Sequence, residues 1–282
     1  MSEHIDIIIY GQNPIFRILR GILLVVESLR HYQFRIWVDT PAGFDVGEQL
    51  ITALRLNEAG IQHRLPDCSI VVLGAYHFVQ FEGTRIRSDR LNRLADLACS
   101  FGSSGQKGFL AFINSGLEIP NDLFLKCLRI SGWQDSSIGV LGIKCIYPDG
   151  AVCHVGSTLF ADSGRITLAR RPAWDIASLP GYPIGASVSC LHFLLTKHEV
   201  FERVGGFSNK YQQYLFDTEY CIKCLLIDVQ SIIHDDVTAI FYGNSGRTYN
   251  GRRIVTERSE WQKVFFPFLL KRLAKLYAKK II

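Results

Sequence analysis

Residues 108–120 read GFLAFINSGLEIP, and residues 215–221 read LFDTEYC. The first segment is an apolar run, Phe109 to Ile113, that stops on Asn114, Ser115 and Gly116 before a helix start at Pro120 and Asn121. An unbroken apolar run of that length is a strand covered on both faces, and it delivers its polar residues to the carboxyl edge of a sheet. The second segment places Asp217 and Glu219 in the first turn of a helix, where acids suit the macrodipole. It follows the turn residues Gly205, Gly206 and Phe207. Open α/β sheets bind ligands outside the carboxyl ends of their strands. The two segments together predict an α/β chain with a polar site at one sheet edge.

Upstream, Ile5 to Tyr10 is a short β-branched run that reads as a buried parallel strand. Gly11 to Asn13 turn the chain into an amphipathic helix, Ile15 to His31. Its apolar face is Ile18, Leu19, Ile22, Leu23, Val26 and Leu29. Phe34 to Val38 is a second strand, ending on Asp39. Val46 to Ala59 is a helix closed by Gly60, and Cys68 to Leu73 reads as the third strand. Strands alternating with helices predict a mostly parallel, doubly wound sheet with helices on both faces. Asp89 to Phe101 is a further helix. The loop GSSGQKG at 102–108 carries Lys107 without the context of a phosphate-binding P-loop.

Beyond the central strand, Asp122 to Ile130 is expected to be helical and Ile138 to Ile143 extended. Tyr147 to Gly150 (YPDG) is a hairpin signal, with Val152 to Leu159 returning. Residues 160–183 read as a long polar loop carrying Arg165, Arg170, Arg171, Trp174 and Tyr182. Val188 to Thr196 is a strand, Lys197 to Val204 a helix and Leu215 to Leu226 another. Val229 to Ile233 and Thr238 to Tyr242 are two short strands separated by His234, Asp235 and Asp236.

Composition narrows the function classes. The chain has 282 residues and is 48% hydrophobic, enough for a large core. Charged residues are 20% and dispersed, and a net charge of +5 without a concentrated basic face gives no warrant for nucleic-acid binding. Of the eight cysteines only Cys221 and Cys224 have a CxxC spacing, with no second pair at zinc-site distance, so they read as reduced residues near the core. No signal-like run precedes Ile5, and no apolar run reaches the ~18–20 residues of a membrane span. The expected setting is the cytoplasm.

Three segments carry a family resemblance: FLAFINSGLEIP (109–120), IGVLGIKCIYPDGAVCHVGS (138–157), and VSCLHFLLTKHEVFERVGGFSNKYQQYLFDTEYCIKC (188–224). Together they resemble glycosyltransferase family 2, the GT-A fold enzymes of the kind that build bacterial surface glycans containing rhamnose or galactose. The likeness spans about residues 105–247. It implies a nucleotide-binding half at 1–108, an acceptor half at 109–253, and a nucleotide-sugar donor carrying UDP or dTDP. It also implies a glycan or lipid-linked acceptor and an inverting transfer.

The resemblance assigns roles residue by residue. Asp39 occupies the place of a nucleoside-recognising aspartate; by itself it also reads as the start of the turn at Thr40. Asn114, Ser115 and Gly116 cover the family's metal motif, and Arg247 matches a basic residue near phosphate. Asp217 matches the general base, and Glu219 the acid that supports it. Two residues apart on a helix, those acids do not share a face. His154 matches a recurring histidine, although a structural role beside the hairpin suits it better.

The departures cluster. The metal-binding aspartate is replaced by Gly116, the glutamate before the base by Phe216, and the late histidine by Phe241 and Tyr242. Glu118, two residues on, is the nearest acid that could move in. No metal-ligand set is assigned, and two accounts stay open. One is metal-independent transfer, with Lys107, Arg170, Arg171 or Arg247 neutralising the leaving diphosphate. The other is an inactive GT-A domain that binds glycan or protein, alone or in a homo- or hetero-oligomer.

Residues 254–282 form a basic tail in which Lys271, Arg272, Lys275, Lys279 and Lys280 alternate with Phe268, Leu269, Leu273 and Leu276. As an amphipathic helix, 261–282 suits either an anionic membrane surface on the cytoplasmic side or an apolar patch on the core or another subunit.

Overall fold

Alternation on the first strand sets the layers. Ile5, Ile7 and Ile9 point into one apolar core, and Ile8 and Tyr10 into the other, and all five are buried. A strand apolar on both faces must be covered twice. The computed structural model describes residues 4–11, 15–40, 61–82, 87–101, 108–130, 133, 137–162, 165–170, 182–188, 192–209 and 216–242.

Its elements begin with β1 (His4–Tyr10), α1 (Ile15–Ser28), β2 (Gln33–Asp39), β3 (Ile61–Arg64), β4 (Cys68–Leu73), β5 (Tyr76–Phe81) and α2 (Arg87–Ser100). Then follow β6 (Gly108–Asn114), β7 (Leu117–Glu118), α3 (Leu123–Leu128), β8 (Ile138–Ile146), β9 (Val152–His154), β10 (Ser157–Asp162), β11 (Arg165–Arg170) and β12 (Tyr182–Val188). The last are β13 (Phe193–Lys197), α4 (His198–Val204), α5 (Phe216–Leu225) and β14 (Gln230–Phe241).

Among the described residues the main sheet has the order β3-β4-β5-β2-β1-β6-β13-β8-β14-β7, with β9 on the side of β8. The strands β5, β2, β1 and β6 are parallel neighbours. Next, β13 is antiparallel to both β6 and β8, and β14 is parallel to β8. The long strands β5, β2, β1, β6, β8 and β14 therefore share one direction, and β13 runs against them. On one face α1 packs Ile18, Ile22 and Val25, with Leu29 just past its end, beside Leu123, Phe124 and Cys127 of α3. The other face is covered by Leu91, Leu94 and Leu97 of α2, Phe201 of α4, and Phe216, Tyr220 and Ile222 of α5. This is the expected doubly wound architecture.

Several local expectations are corrected. Cys68–Leu73 is the antiparallel arm of a hairpin, and its partner Tyr76–Phe81 is the strand that lies parallel to β2. A two-residue turn with Gly74 at φ 59° joins them. The section read as a polar loop contains β11 and part of β12. Together with β10 these form a separate antiparallel sheet in the order β11-β10-β12. The two short strands near the end are one strand, β14, with a register shift between His234 and Thr238. The YPDG hairpin forms: Gly150 N–H donates to the Tyr147 carbonyl (2.9 Å), Asp149 Oδ1 accepts from Ala151 N–H (2.9 Å), and Gly150 takes φ 82°. The helix expected at 46–59, the loop at 102–107 and the tail at 254–282 lie outside the described residues.

At the amino edge of the sheet the core holds a charge. Asp6 on β1 is 1% exposed. It accepts two hydrogen bonds from the Arg35 guanidinium (2.7 and 2.8 Å), one from Trp37 Nε1 (3.1 Å), and one from His198 Nε2 (3.1 Å). Burial alone would raise its pKa, but the close approach of His198, His4 and Arg35 outweighs burial and holds it well below the usual carboxylate range. Those partners come from β2 and from the first residue of α4, so one carboxylate ties three elements together. No helix among the described residues is long and apolar enough to cross a membrane.

Candidate functional site at the carboxyl edge

The strand order reverses between β1 and β6: β2 and β5 lie on one side of β1 and β6 on the other. A crevice opens where crossovers diverge in this way. The turn Asn114–Ser115–Gly116 sits in it. Ser115 N–H donates to the Tyr10 carbonyl at the end of β1 (2.7 Å), and Asn114 N–H to the His192 carbonyl just before β13 (2.9 Å). The Gly116 carbonyl accepts from Tyr242 N–H just past β14 (2.8 Å). Three strand ends are thereby stitched to one turn.

That turn does not fit a divalent cation. Asn114 Oδ1 is folded back to accept from Gly116 N–H (2.9 Å). Ser115 is 3% exposed, and Gly116 has no side chain. Glu118, the nearest acid, pairs with Arg20 of α1 (2.8 Å). At the late histidine's place, Phe241 is buried and lies against His192, with centroids 3.9 Å apart and the rings tilted by 32°. Among the described residues no group of three or more His, Cys, Asp or Glu side chains is gathered to hold a metal ion.

Cations occupy the crevice instead. A cleft of about 230 Å³ is lined by Arg17, Arg20, Gly21 and Leu24 of α1, by Ser115 to Glu118, and by Tyr242. The Arg17 guanidinium donates to the Tyr242 carbonyl and lies 5.7 Å from the centroid of its ring. Sequence reading missed both arginines because they fall on the polar stripe of an amphipathic helix, where a charge normally means only solvent. Their meaning comes from topology, which sets the start of α1 against the β6–β7 turn.

Asp39 closes β2 at the same edge. Its carboxylate pairs with Arg90 of α2, and burial raises its pKa although Arg90 and Arg87 oppose the rise. Ionised Asp39 is therefore held at a cost to the fold, with Arg90 as its partner.

Asp217 lies at the amino end of α5, which starts at the carboxyl edge and runs down to β14. Its Oδ1 accepts from Thr218 N–H (2.7 Å). Glu219 points elsewhere: it is 2% exposed and pairs with Lys223 one turn on (3.3 Å). The expected difference of face is observed. Phe216 is a core residue, edge-on to Phe207 at 5.4 Å. Phe207 is positioned by the glycine turn. Gly205 caps α4 at φ 78°, and Asn92 of α2 both donates to the Phe207 carbonyl (2.7 Å) and accepts from its N–H (2.8 Å). The GGF motif thus anchors the approach to α5.

Two histidines join this edge. His154, on β9 opposite Cys145, has a buried Nε2 with no hydrogen-bond partner among the described residues. His192 precedes the reversed strand, so it stands at the carboxyl ends of the neighbouring strands. It was overlooked because Val188 to Thr196 reads as one uninterrupted strand. Asp39, Asp217 and the Asn114 turn reach this edge from three separate elements, β2, α5 and the end of β6. Arg247, Lys107, Arg171 and Trp174 lie outside the described residues, and of Arg170 and Tyr182 only the strand is described.

A second constellation, at the opposite edge, resembles a nucleophile with its base. Cys99 Sγ lies 3.1 Å from His198 Nδ1, whose Nε2 faces Asp6. Burial, with Glu202, Asp6 and Asp96 adding to it, pushes the Cys99 thiol up to about 11, so it stays protonated and unreactive. The adjoining cleft carries Asp96 and Glu202, the wrong charge for an anionic ligand. Cys221 and Cys224 are buried and unbridged, in accord with a reduced core.

No family model matches the chain. Over 122 residues it is 29% identical to the O-antigen biosynthesis protein RfbC of Myxococcus xanthus, a match covering 40% of this chain. The chain spans only 9% of the length of that curated relative. Among solved structures it is similar to the mannosyltransferase PcManGT of Pyrobaculum calidifontis, in complex with GDP-Man and Mn2+. That likeness has a TM-score of 0.55 at 12% identity and covers 99% of this chain and 75% of the other. A second likeness is to TarS 1–349 of S. aureus, with TM-score 0.47 and 11% identity, over 86% and 59% of the two chains. The fold is GT-A-like.

Proposed function

We propose that the chain transfers a sugar from a UDP- or dTDP-linked donor to a glycan or lipid-linked acceptor, with inversion and without a catalytic divalent metal. The observation that carries this reading is the crevice at the strand-order reversal. There the turn 114–116, two arginines and the end of β1 meet on a GT-A-like sheet. The O-antigen relative supports a role in surface-polysaccharide synthesis, with the cytoplasm as the proposed setting.

In the proposed step an acceptor hydroxyl oxygen attacks the anomeric carbon from the face opposite the nucleotide. The bond from that carbon to the β-phosphate oxygen breaks, and its electron pair stays on phosphate. The hydroxyl proton passes to Asp217, and one carboxylate suffices for this. Asp39 accepts the imide N–H of uracil or thymine, and Arg247 is assigned to phosphate. Glu219, buried and paired with Lys223, supports the helix that aims Asp217.

The test is a calorimetric titration with UDP-, dTDP- and GDP-sugars in EDTA. A uridine or thymidine donor is expected to bind, and Asp39→Asn to weaken it roughly tenfold or more, the order of one hydrogen bond to a charged group. Absence of binding by all three donors would instead favour a glycan-binding or protein-interaction module.

A further inference from the structure

We infer that the cleft between the start of α1 and the β6–β7 turn is a diphosphate site in which Arg17 and Arg20 supply the positive charge that a divalent ion supplies elsewhere. The inference rests on the proposed function for the source of the diphosphate, but not for its charge.

Charge is the first support. The described lining holds two guanidinium groups and one carboxylate, Glu118, so the cleft is net cationic. The larger cleft at the opposite edge is acidic. A guanidinium presents several donors in a fixed fork that matches phosphate oxygens. Arg20 is 61% exposed at its side chain, so it can turn from Glu118 toward an incoming anion.

Shape is the second, independent support. Arg17, Arg20, Gly21 and Leu24 recur at helical spacing and form one stripe of α1 facing the turn. Glycine inside a helix is less stable than alanine. It is usually retained where a neighbouring element packs tightly, but a Cβ built on Gly21 meets nothing within 4 Å. Gly21 is nevertheless buried. The helix therefore leaves room above its backbone, in the cleft and between the arginines, where a ligand can approach. The misfit of the Asn114 turn to a cation and the presence of this cationic floor account for each other. As the donor bond breaks, charge grows on the β-phosphate, and fixed guanidinium groups stabilise it without an ion.

The experiment is a titration of inorganic pyrophosphate, then UDP, dTDP and GDP, into the full chain in EDTA, repeated with manganese. Pyrophosphate is expected to bind without metal, and more weakly as salt rises. Arg17→Ala and Arg20→Ala should each weaken it roughly tenfold or more, a salt-bridged hydrogen bond being worth about that factor. Gly21→Leu should block the cleft while melting temperature reports an intact fold. Glu118→Gln gives the deciding sign. Removal of a carboxylate that competes for Arg20 should tighten binding, whereas loss of a metal ligand would weaken it. Binding that needs manganese and falls with Glu118→Gln would overturn the inference, as would indifference to both arginines. Arginine-dependent pyrophosphate binding with no nucleotide binding would uphold the site and overturn the donor reading. Nucleotide binding that ignores the arginines would do the reverse.

Discussion

Asp217→Asn is expected to abolish sugar transfer while leaving donor binding unchanged. General-base catalysis contributes about 10²- to 10⁴-fold, so kcat should fall by roughly a thousandfold. The substitution is nearly isosteric. Oδ1, which accepts from Thr218 N–H, has an equivalent acceptor in asparagine, so the start of α5 keeps its local bond. Asp217 opens α5, whereas Arg17 and Arg20 belong to α1 and Asp39 to β2, which is why affinity for the nucleotide should hold. Nucleoside diphosphate release in the presence of acceptor, alongside calorimetric affinity, separates the two. A variant that turns over normally would remove Asp217 from the mechanism, and one that loses donor affinity equally would assign it to binding.

The second large effect concerns folding. Asp6→Ala should lower stability by roughly 3–5 kcal/mol at neutral pH, because Arg35 would be left largely buried without its counter-charge. A fall of roughly 1 M or more in the urea midpoint would report it. Since the Asp6 pKa is depressed on folding, its contribution is fully present above the unfolded value near 4 and is lost as pH falls through the folded value. The gap between wild type and variant should therefore be constant at neutral pH and narrow only in acid below about pH 4. A gap that closed already between pH 8 and 6 would contradict it.

The layered fold was legible because its strongest elements are also its most periodic. Ile5–Tyr10 and Phe109–Ile113 are apolar on both faces, and α1 repeats its apolar stripe over several turns. The hairpin β4–β5 was misread for a physical reason. Cys68–Leu73 and Tyr76–Phe81 are both apolar, and pattern alone does not say which of two adjacent strands runs parallel to β2. The β10–β12 sheet was missed because strands rich in Arg, Thr and Ala carry weak apolar alternation.

The site was half legible. The polar end of β6, Asp39 and the acid start of α5 are local signals at strand and helix ends. Arg17, Arg20 and His192 are not, because each becomes relevant only through an element's direction or neighbour. The histidine is instructive: had β13 been known to run in reverse, its leading residue would have been placed at the site edge at once. Phe216 also changed meaning. As a replacement for an acid it read as a lost function, whereas the structure shows it completing the aromatic cluster around Phe207.

The most direct measurement is amide hydrogen exchange in EDTA with and without a saturating UDP- or dTDP-sugar. The account predicts protection at Tyr10 and Gly11, at residues 114–118 and along the first turns of α1, with the acidic cleft around Asp96 and Glu202 unchanged. Protection confined to that acidic cleft, or protection of residues 114–118 only when manganese is added, would contradict it.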